Sequence, residues 1–325
     1  MYTRRNILQG AAALAVASTS LGSTGAALAK APFQPFQAPG FYRLPFGRYE
    51  VTALSDGTVP LVLPELYTNT AKEHAQSALG AAFLETPTQT SVNAFLVNTG
   101  DRLVLIDAGT GTYLGPTLGK LLTNLKAAGY QPDQIDDIIL THIHTDHSGG
   151  LSANGKRLFT NATLRVNQRE LDFWLKTPVE KRPATAPAQH FTEAKESLQP
   201  YLDAGNVETF ADSAEVLPGI GSILRPGHTP GHSSIVIEDG GKKLVFWGDI
   251  THGDVLQFDE PGVAIEFDVD QKKAVETRAV ALEEAVRDKY LVAGAHIAFP
   301  GIGHVRRDET NYDWVPVNYS GTVGK

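Results

Sequence analysis

His142, His144, Asp146 and His147 place four potential metal ligands within six residues, inside the stretch from Thr141 to Gly150. Imidazole nitrogens and carboxylate oxygens are the donors that borderline cations such as zinc favour. One ion cannot easily take all four from so short a segment, so the spacing predicts two adjacent ions. A polar strand end with solvated histidines is the bland alternative. Three of the chain's 10 histidines fall here, which argues against it.

These side chains need elements to aim them. The apolar run Ile135 to Leu140 reads as a buried strand. His142 and His144, two apart at its end, point to the same side. Asp146 and His147 follow in a turn that Ser148, Gly149 and Gly150 bend tightly. A second ligand group comes later: His228 lies in a Pro- and Gly-rich bend from Arg225 to His232, and Asp249 lies just past the apolar run Leu244 to Trp247. An acid at the mouth of a buried strand is costly unless a cation compensates it. His296 follows the last apolar strand, Leu291 to Ala293. Two hairpins are expected, Val92 to Val97 with Leu103 to Ile106, and Ile235 to Ile237 with Leu244 to Trp247. Asp107, after the first, either braces the ligands or is a turn residue. Ser55, Asp56 and Gly57 read as a turn closing the strand Glu50 to Leu54. Helices are expected over 116–128, 168–175 and 191–202, and after a cap at Asp270. Strands alternating with helices predict α/β layers.

Composition is that of a globular protein, 42% apolar and 20% charged over 325 residues. The net charge of −8 counts against nucleic acid as a partner. With no cysteine, neither disulfides nor thiolate chemistry is available. Residues 1–29, with Arg4 and Arg5, an Ala-rich stretch and a small-residue cleavage pattern at Ala27 to Ala29, read as a twin-arginine-type export signal. A periplasmic or secreted protein with no stable membrane insertion after signal removal is the expectation. Residues 30–47 read as an N-terminal extension, 48–305 as the catalytic domain, and 306–325 as a C-terminal tail packed on it.

Together, His142, His144, Asp146 and His147, followed in order by His228, Asp249 and His296, resemble the metallo-β-lactamase superfamily over roughly residues 48–305. Within it, the segments 38–43, 53–58, 90–94, 227–232, 299–304 and 315–319 are most similar to the methyl parathion hydrolase-like branch. The resemblance implies a four-layer αββα sandwich of two mixed β-sheets flanked by helices. It also implies that His142, His144 and His228 hold one metal, that Asp146, His147 and His296 hold the other, and that Asp249 bridges both.

Two divalent ions, most readily zinc, would acidify a bridging water into a hydroxide that attacks an ester-like bond. Asp146 would orient it or pass its proton on, so Asp146 and Asp249 are the catalytic candidates. The expected substrate is a small apolar ester: a lactone, an aryl ester or a phosphotriester. Trp174, with Phe173, Phe191 and Phe258, is a candidate pocket wall, or else Trp174 packs behind a metal ligand, and His252 could orient a ligand or line the pocket. His232 and His304 read as structural, and His74 and His190 as surface residues. The resemblance also suggests a homodimer. An iron-dependent oxidoreductase of the same fold and a non-catalytic periplasmic binding protein are the competing readings.

Overall fold

Period-two burial decides how the strands stack. In Leu103–Ile106, Val104 and Ile106 join a cluster with Ile235, Phe246 and Ala293, whereas Leu105, facing the other way, packs with Leu125, Leu164 and Leu198. The split recurs in Lys242–Gly248. There Leu244 and Phe246 enter the shared cluster, while Val245 and Trp247 pack with Leu282 and Ala285. Strands buried on both faces must be apolar throughout, which is why these segments read as continuous runs.

The computed structural model describes residues 31–323. The predicted export signal lies outside the described residues. Residues 31–37 carry no strand or helix, and the larger unit begins at Ala38. In the larger unit the first sheet runs, in chain order, through Phe41–Phe46, Tyr49–Leu61, Thr88–Asn98, Leu103–Ile106, Asp137–Ile139, Thr163–Asn167 and Val207–Phe210. Its first four strands are antiparallel, and the pairings from Leu103–Ile106 onward are parallel. The second sheet runs through Glu215–Leu217, Ile220–Leu224, Ser233–Asp239, Lys242–Gly248, Leu291–Gly294, Ile302–Asp308 and Asn311–Pro316. It has one parallel pairing, Lys242–Gly248 with Leu291–Gly294.

Helices Leu121–Ala127, Gln168–Lys176 and Ala188–Asp203 contribute to the outer core of the first sheet, and Gln271–Asp288 to that of the second. This is the αββα sandwich. No described helix is long and apolar enough to cross a membrane.

Phe41–Phe46, within the expected N-terminal extension, is a strand paired with Tyr49–Leu61, and Asn311–Pro316, within the expected tail, is the far strand of the second sheet. Both are short edge strands whose pattern is hard to tell from an extended loop. Ser55, Asp56 and Gly57 do not end their strand; they form a register shift within Tyr49–Leu61. The shift turns Asp56 inward, where it accepts from the backbone amides of Thr110, Gly119 and Leu121 and from the Thr110 hydroxyl. Those contacts also explain why the helix expected from Pro116 begins at Leu121. Gly119 is left-handed, at φ +73°, and Asp56 supplies the acceptor for the first helical amide.

Candidate metal centre

Each site residue is carried by a strand end or by a bend between strands. Asp107 follows Leu103–Ile106, and the 142–147 ligands follow Asp137–Ile139, the two strands being parallel neighbours. Asp249 and His296 follow the parallel pair of the second sheet. Parallel strands bring their carboxyl ends to one edge, so residues as far apart in the chain as Asp146 and His296 meet there. His228 comes from the bend between Ile220–Leu224 and Ser233–Asp239. Gly248, at φ +59°, turns the chain so that Asp249 enters the site; a Cβ on it would lie 2.5 Å from His232 Nε2.

The seven predicted ligands converge. His142 Nε2 and His144 Nδ1 are 3.1 Å apart, and His144 Nδ1 and His228 Nε2 are 2.9 Å apart. His147 Nε2 lies 3.1 Å from Asp249 Oδ1 and 3.6 Å from Asp146 Oδ2, and His296 Nε2 lies 3.3 Å from Asp146 and 3.1 Å from Asp249 Oδ2. Asp249 Oδ2 also approaches His228 Nε2 to 3.2 Å and His142 Nε2 to 3.8 Å. Three imidazoles with Asp249 thus form one set, and Asp146, His147 and His296 another. Within each, the donor atoms all lie within 4.8 Å of one another.

The reverse faces of the rings are held as well. His147 Nδ1 donates to Asp107 (2.8 Å), His228 Nδ1 to Asp268 (2.8 Å) and His296 Nδ1 to the Ser91 carbonyl (2.8 Å). Asp107 also accepts from the Thr141 amide and hydroxyl, so it braces the ligand turn. These contacts choose the tautomer that leaves Nε2 free for the site.

Electrostatics test whether a cation fits. Burial and neighbouring imidazoles push His142 and His144 well below the usual histidine range. Burial opposes charge on His228 and His296 too, but Asp249 with Asp268, and Asp249 with Asp146, raise them to about 9 and about 10. Burial likewise disfavours charge on Asp249, yet the surrounding imidazoles hold it well below the carboxylate range. The buried atoms His147 Nε2 and Asp249 Oδ1 face each other without a hydrogen-bond partner. Buried donors rarely stay unpaired. Nitrogen and oxygen atoms converging without partners fit two divalent cations.

The model of the Metallo-beta-lactamase superfamily matches residues 87–296. The chain belongs to this superfamily. Among solved structures, the chain is 38% identical to a hydrolase of the beta lactamase superfamily, AbOPH, with a TM-score of 0.82 over 88% of this chain and 100% of that one. It is 26% identical to AidC, a dizinc quorum-quenching lactonase in complex with a product, N-hexanoyl-L-homoserine; the TM-score is 0.81 over 87% of this chain and 99% of that one. An N-acyl homoserine lactonase of Bacillus thuringiensis is 31% identical over 164 residues, 44% of this chain and 57% of that protein. The chain therefore spans little more than half the length of that curated relative.

As in any superfamily member, substrate selection depends on what surrounds the centre, and here several expectations change. A cavity of about 180 Å³ opens onto His144, Asp146, Asp249 and His296, with Val59, Leu61, Leu114 and Phe267 as its apolar wall. Of the two places expected for Trp174, the structure gives the one behind a candidate ligand and not the cavity wall. Trp174 is 1% exposed, donates to Glu170 from Nε1 (2.9 Å), and sets its ring edge-on, 5.3 Å from His144. Phe191 and Phe258 are buried core residues, and Phe173 packs beside Trp174. His190, read as a surface residue, lines the cavity with its ring 5.5 Å from His144.

His252 is buried there with both ring nitrogens unpartnered. His232 accepts from the Asp249 amide at 2.9 Å, and burial, with His228 nearby, lowers it to about 3. His304 contacts the Tyr290 carbonyl away from the site, and His74 pairs with Glu260. Phe267 and Asp268 precede the predicted cap at Asp270 and carry no motif. Their only signal was an aromatic–acid pair just before a helix.

Proposed function

We propose that this chain is a divalent-metal hydrolase of lactones bearing an apolar acyl chain, with zinc as its ion. The observation that carries the reading is the apolar cavity opening directly onto the two convergent ligand sets. Two such ions would supply Lewis acidity and a water acidified toward neutrality. The chain's own groups do the rest. Asp249 reaches both ligand sets and fixes their separation. Asp146, the least buried of the seven ligands, faces the cavity and carries a proton from the attacking water to the leaving oxygen. Water adds to the carbonyl carbon, the ring C–O bond breaks, and the proton ends on the freed hydroxyl, giving a hydroxy acid.

The leucine, valine and phenylalanine wall excludes water and takes the acyl chain. Its modest volume favours a compact ring and chain over ligands that fill the ~300–1,000 Å³ typical of drug-sized sites. The dizinc lactonase among the relatives supports both ion and substrate class.

The test is a hydrolysis panel on zinc-loaded protein with and without chelator, comparing kcat/KM for lactones, aryl esters, phosphotriesters and a β-lactam. A lactone preference of ~100-fold, or ~2.7 kcal/mol of transition-state binding, is expected. A phosphotriester lead of that size would replace the proposal, and chelator-insensitive turnover would remove the metal from it. Elemental analysis with an optical spectrum separates zinc from iron. Export through the twin-arginine route belongs to the same proposal. Replacing Arg4 and Arg5 by Lys should trap the precursor in the cytoplasm, and normal export of that variant would count against it.

A further inference from the structure

The centre holds an imidazole that neither ligand set uses. His252 lies three residues past Asp249, 2% exposed, with Nδ1 and Nε2 both lacking a hydrogen-bond partner. Its Nε2 sits 3.2 Å from Asp249 Oδ2. That separation matches those of His228 Nε2 (3.2 Å) and His296 Nε2 (3.1 Å) from the same oxygen. Asp249, His252 and His296 accordingly form a third convergent set, with donor atoms all within 4.8 Å of one another.

The ring is locked in place by its surroundings. Its backbone amide donates to Gln257 Oε1 (2.7 Å), and its carbonyl accepts from the Tyr67 hydroxyl (2.8 Å). The ring stacks on His296 at 5.2 Å with an interplanar angle of 15°, and Phe267 flanks it at 5.9 Å. Three Nε2 atoms, of His228, His252 and His296, thus crowd the one carboxylate oxygen Asp249 Oδ2 at 3.1–3.2 Å. Imidazole nitrogens gathered around a carboxylate are the donor set a borderline cation takes.

We propose that His252 is an eighth ligating residue, binding through Nε2 the ion on the His296 side of the centre. The inference rests on the dinuclear reading above. It gives that ion an added neutral donor and narrows the coordination space left for water and substrate.

The test uses metal uptake and spectroscopy on the folded, metal-free chain. Wild type, His252→Phe and His252→Gln are titrated with Co(II) and with Zn(II) against a chelator, and Co(II) d–d absorption is recorded. His252→Phe keeps a ring against His296 and loses both nitrogens; His252→Gln keeps a donor oxygen and reads the same question should the Phe variant misfold. Two ions per wild-type chain are expected. His252→Phe should bind one of them at least ~10-fold more weakly and the other within twofold, with stronger d–d bands from the lower coordination number; His252→Gln should fall between. Unchanged affinities and spectrum in both variants, even with altered turnover, would make His252 a substrate contact and overturn the inference. A wild-type chain that takes up only one ion would instead overturn the dinuclear reading beneath it.

Discussion

Nδ1 of His228 donates to Asp268 at 2.8 Å, and this contact decides which nitrogen of the ring faces the site. Asp268 is fully buried, accepts also from the Ile265 amide (3.2 Å) and lies 3.8 Å from the buried Arg278 guanidinium. A carboxylate behind a ligating imidazole fixes its tautomer and raises its basicity. Asp268→Asn should therefore weaken uptake of one ion by ~10–100-fold, with turnover recovering toward wild type at saturating metal. Competition with a chromogenic chelator measures this, and affinities within twofold of wild type would show that His228 needs no such support.

Metal uptake should release protons. Asp249 and its carboxylate neighbours overcome burial to raise His228 to about 9 and His296 to about 10, and His147 is pushed up by Asp249 in the same way. In the metal-free chain these imidazoles are cations at pH 7, whereas ligating nitrogens must be deprotonated. Raised folded-state values mean that their contribution to metal-free stability is complete below the unfolded value near 6.5 and is lost as pH climbs through 9 to 10. The metal-free chain should thus melt at lower temperature at pH 10 than at pH 7. Apparent metal affinity should rise over the same interval. A titration in weak buffer that acidifies on adding zinc at pH 7 checks the first half, and melting curves check the second. No acidification would mean that the imidazoles are already neutral.

The convergence of the seven candidate ligands was legible because each combines a donor side chain with a strong local signal: an apolar strand that stops, or a Gly- and Pro-rich bend that aims the ring. The layered fold was legible for a related reason, since strands buried on both faces leave long apolar runs. The cavity wall was not. His190 sits in the first turn of Ala188–Asp203, one residue before the stretch that reads as helical, and Phe267 lies between the short strand Ala264–Ile265 and the helix from Gln271, so only tertiary packing brings them to the site. Trp174 illustrates the converse. Its aromatic type was a fair guide to a pocket, but its indole nitrogen needs an acceptor when buried, and Glu170 draws it into the core behind His144. Asp56 was misread because an Asp-Gly pair signals a turn equally well as a bulge.

Gly248 offers a test of how tightly Asp249 is aimed. Its φ is +59°, and a Cβ there would meet His232 Nε2 at 2.5 Å and Thr141 Cβ and Oγ1 at 3.0 Å. The His232 contact cannot yield easily, because its Nε2 accepts from the Asp249 amide while Nδ1 is tied to the Arg225 carbonyl (3.0 Å). Gly248→Ala should cost about 1–2 kcal/mol for the left-handed backbone alone, and more from the clash. The chain should fold but hold less than two ions, as circular dichroism with elemental analysis would reveal. Full metal content in a folded variant would show that the strand end can shift without moving Asp249.

Phe267 separates binding from chemistry. It lines the cavity, packs on the His252 ring at 5.9 Å, and is only partly buried. It contacts no reacting atom in the proposed scheme, so its wall should stabilise the ground state and transition state of an acyl substrate equally. Phe267→Ala should raise KM about tenfold for long-chain lactones, near the ~1.5 kcal/mol lower end for a buried phenyl ring, and leave kcat within about threefold. Short-chain lactones, which do not reach the wall, should be nearly unaffected. A uniform fall in kcat across chain lengths would instead place Phe267 behind His252, holding the centre and not the substrate.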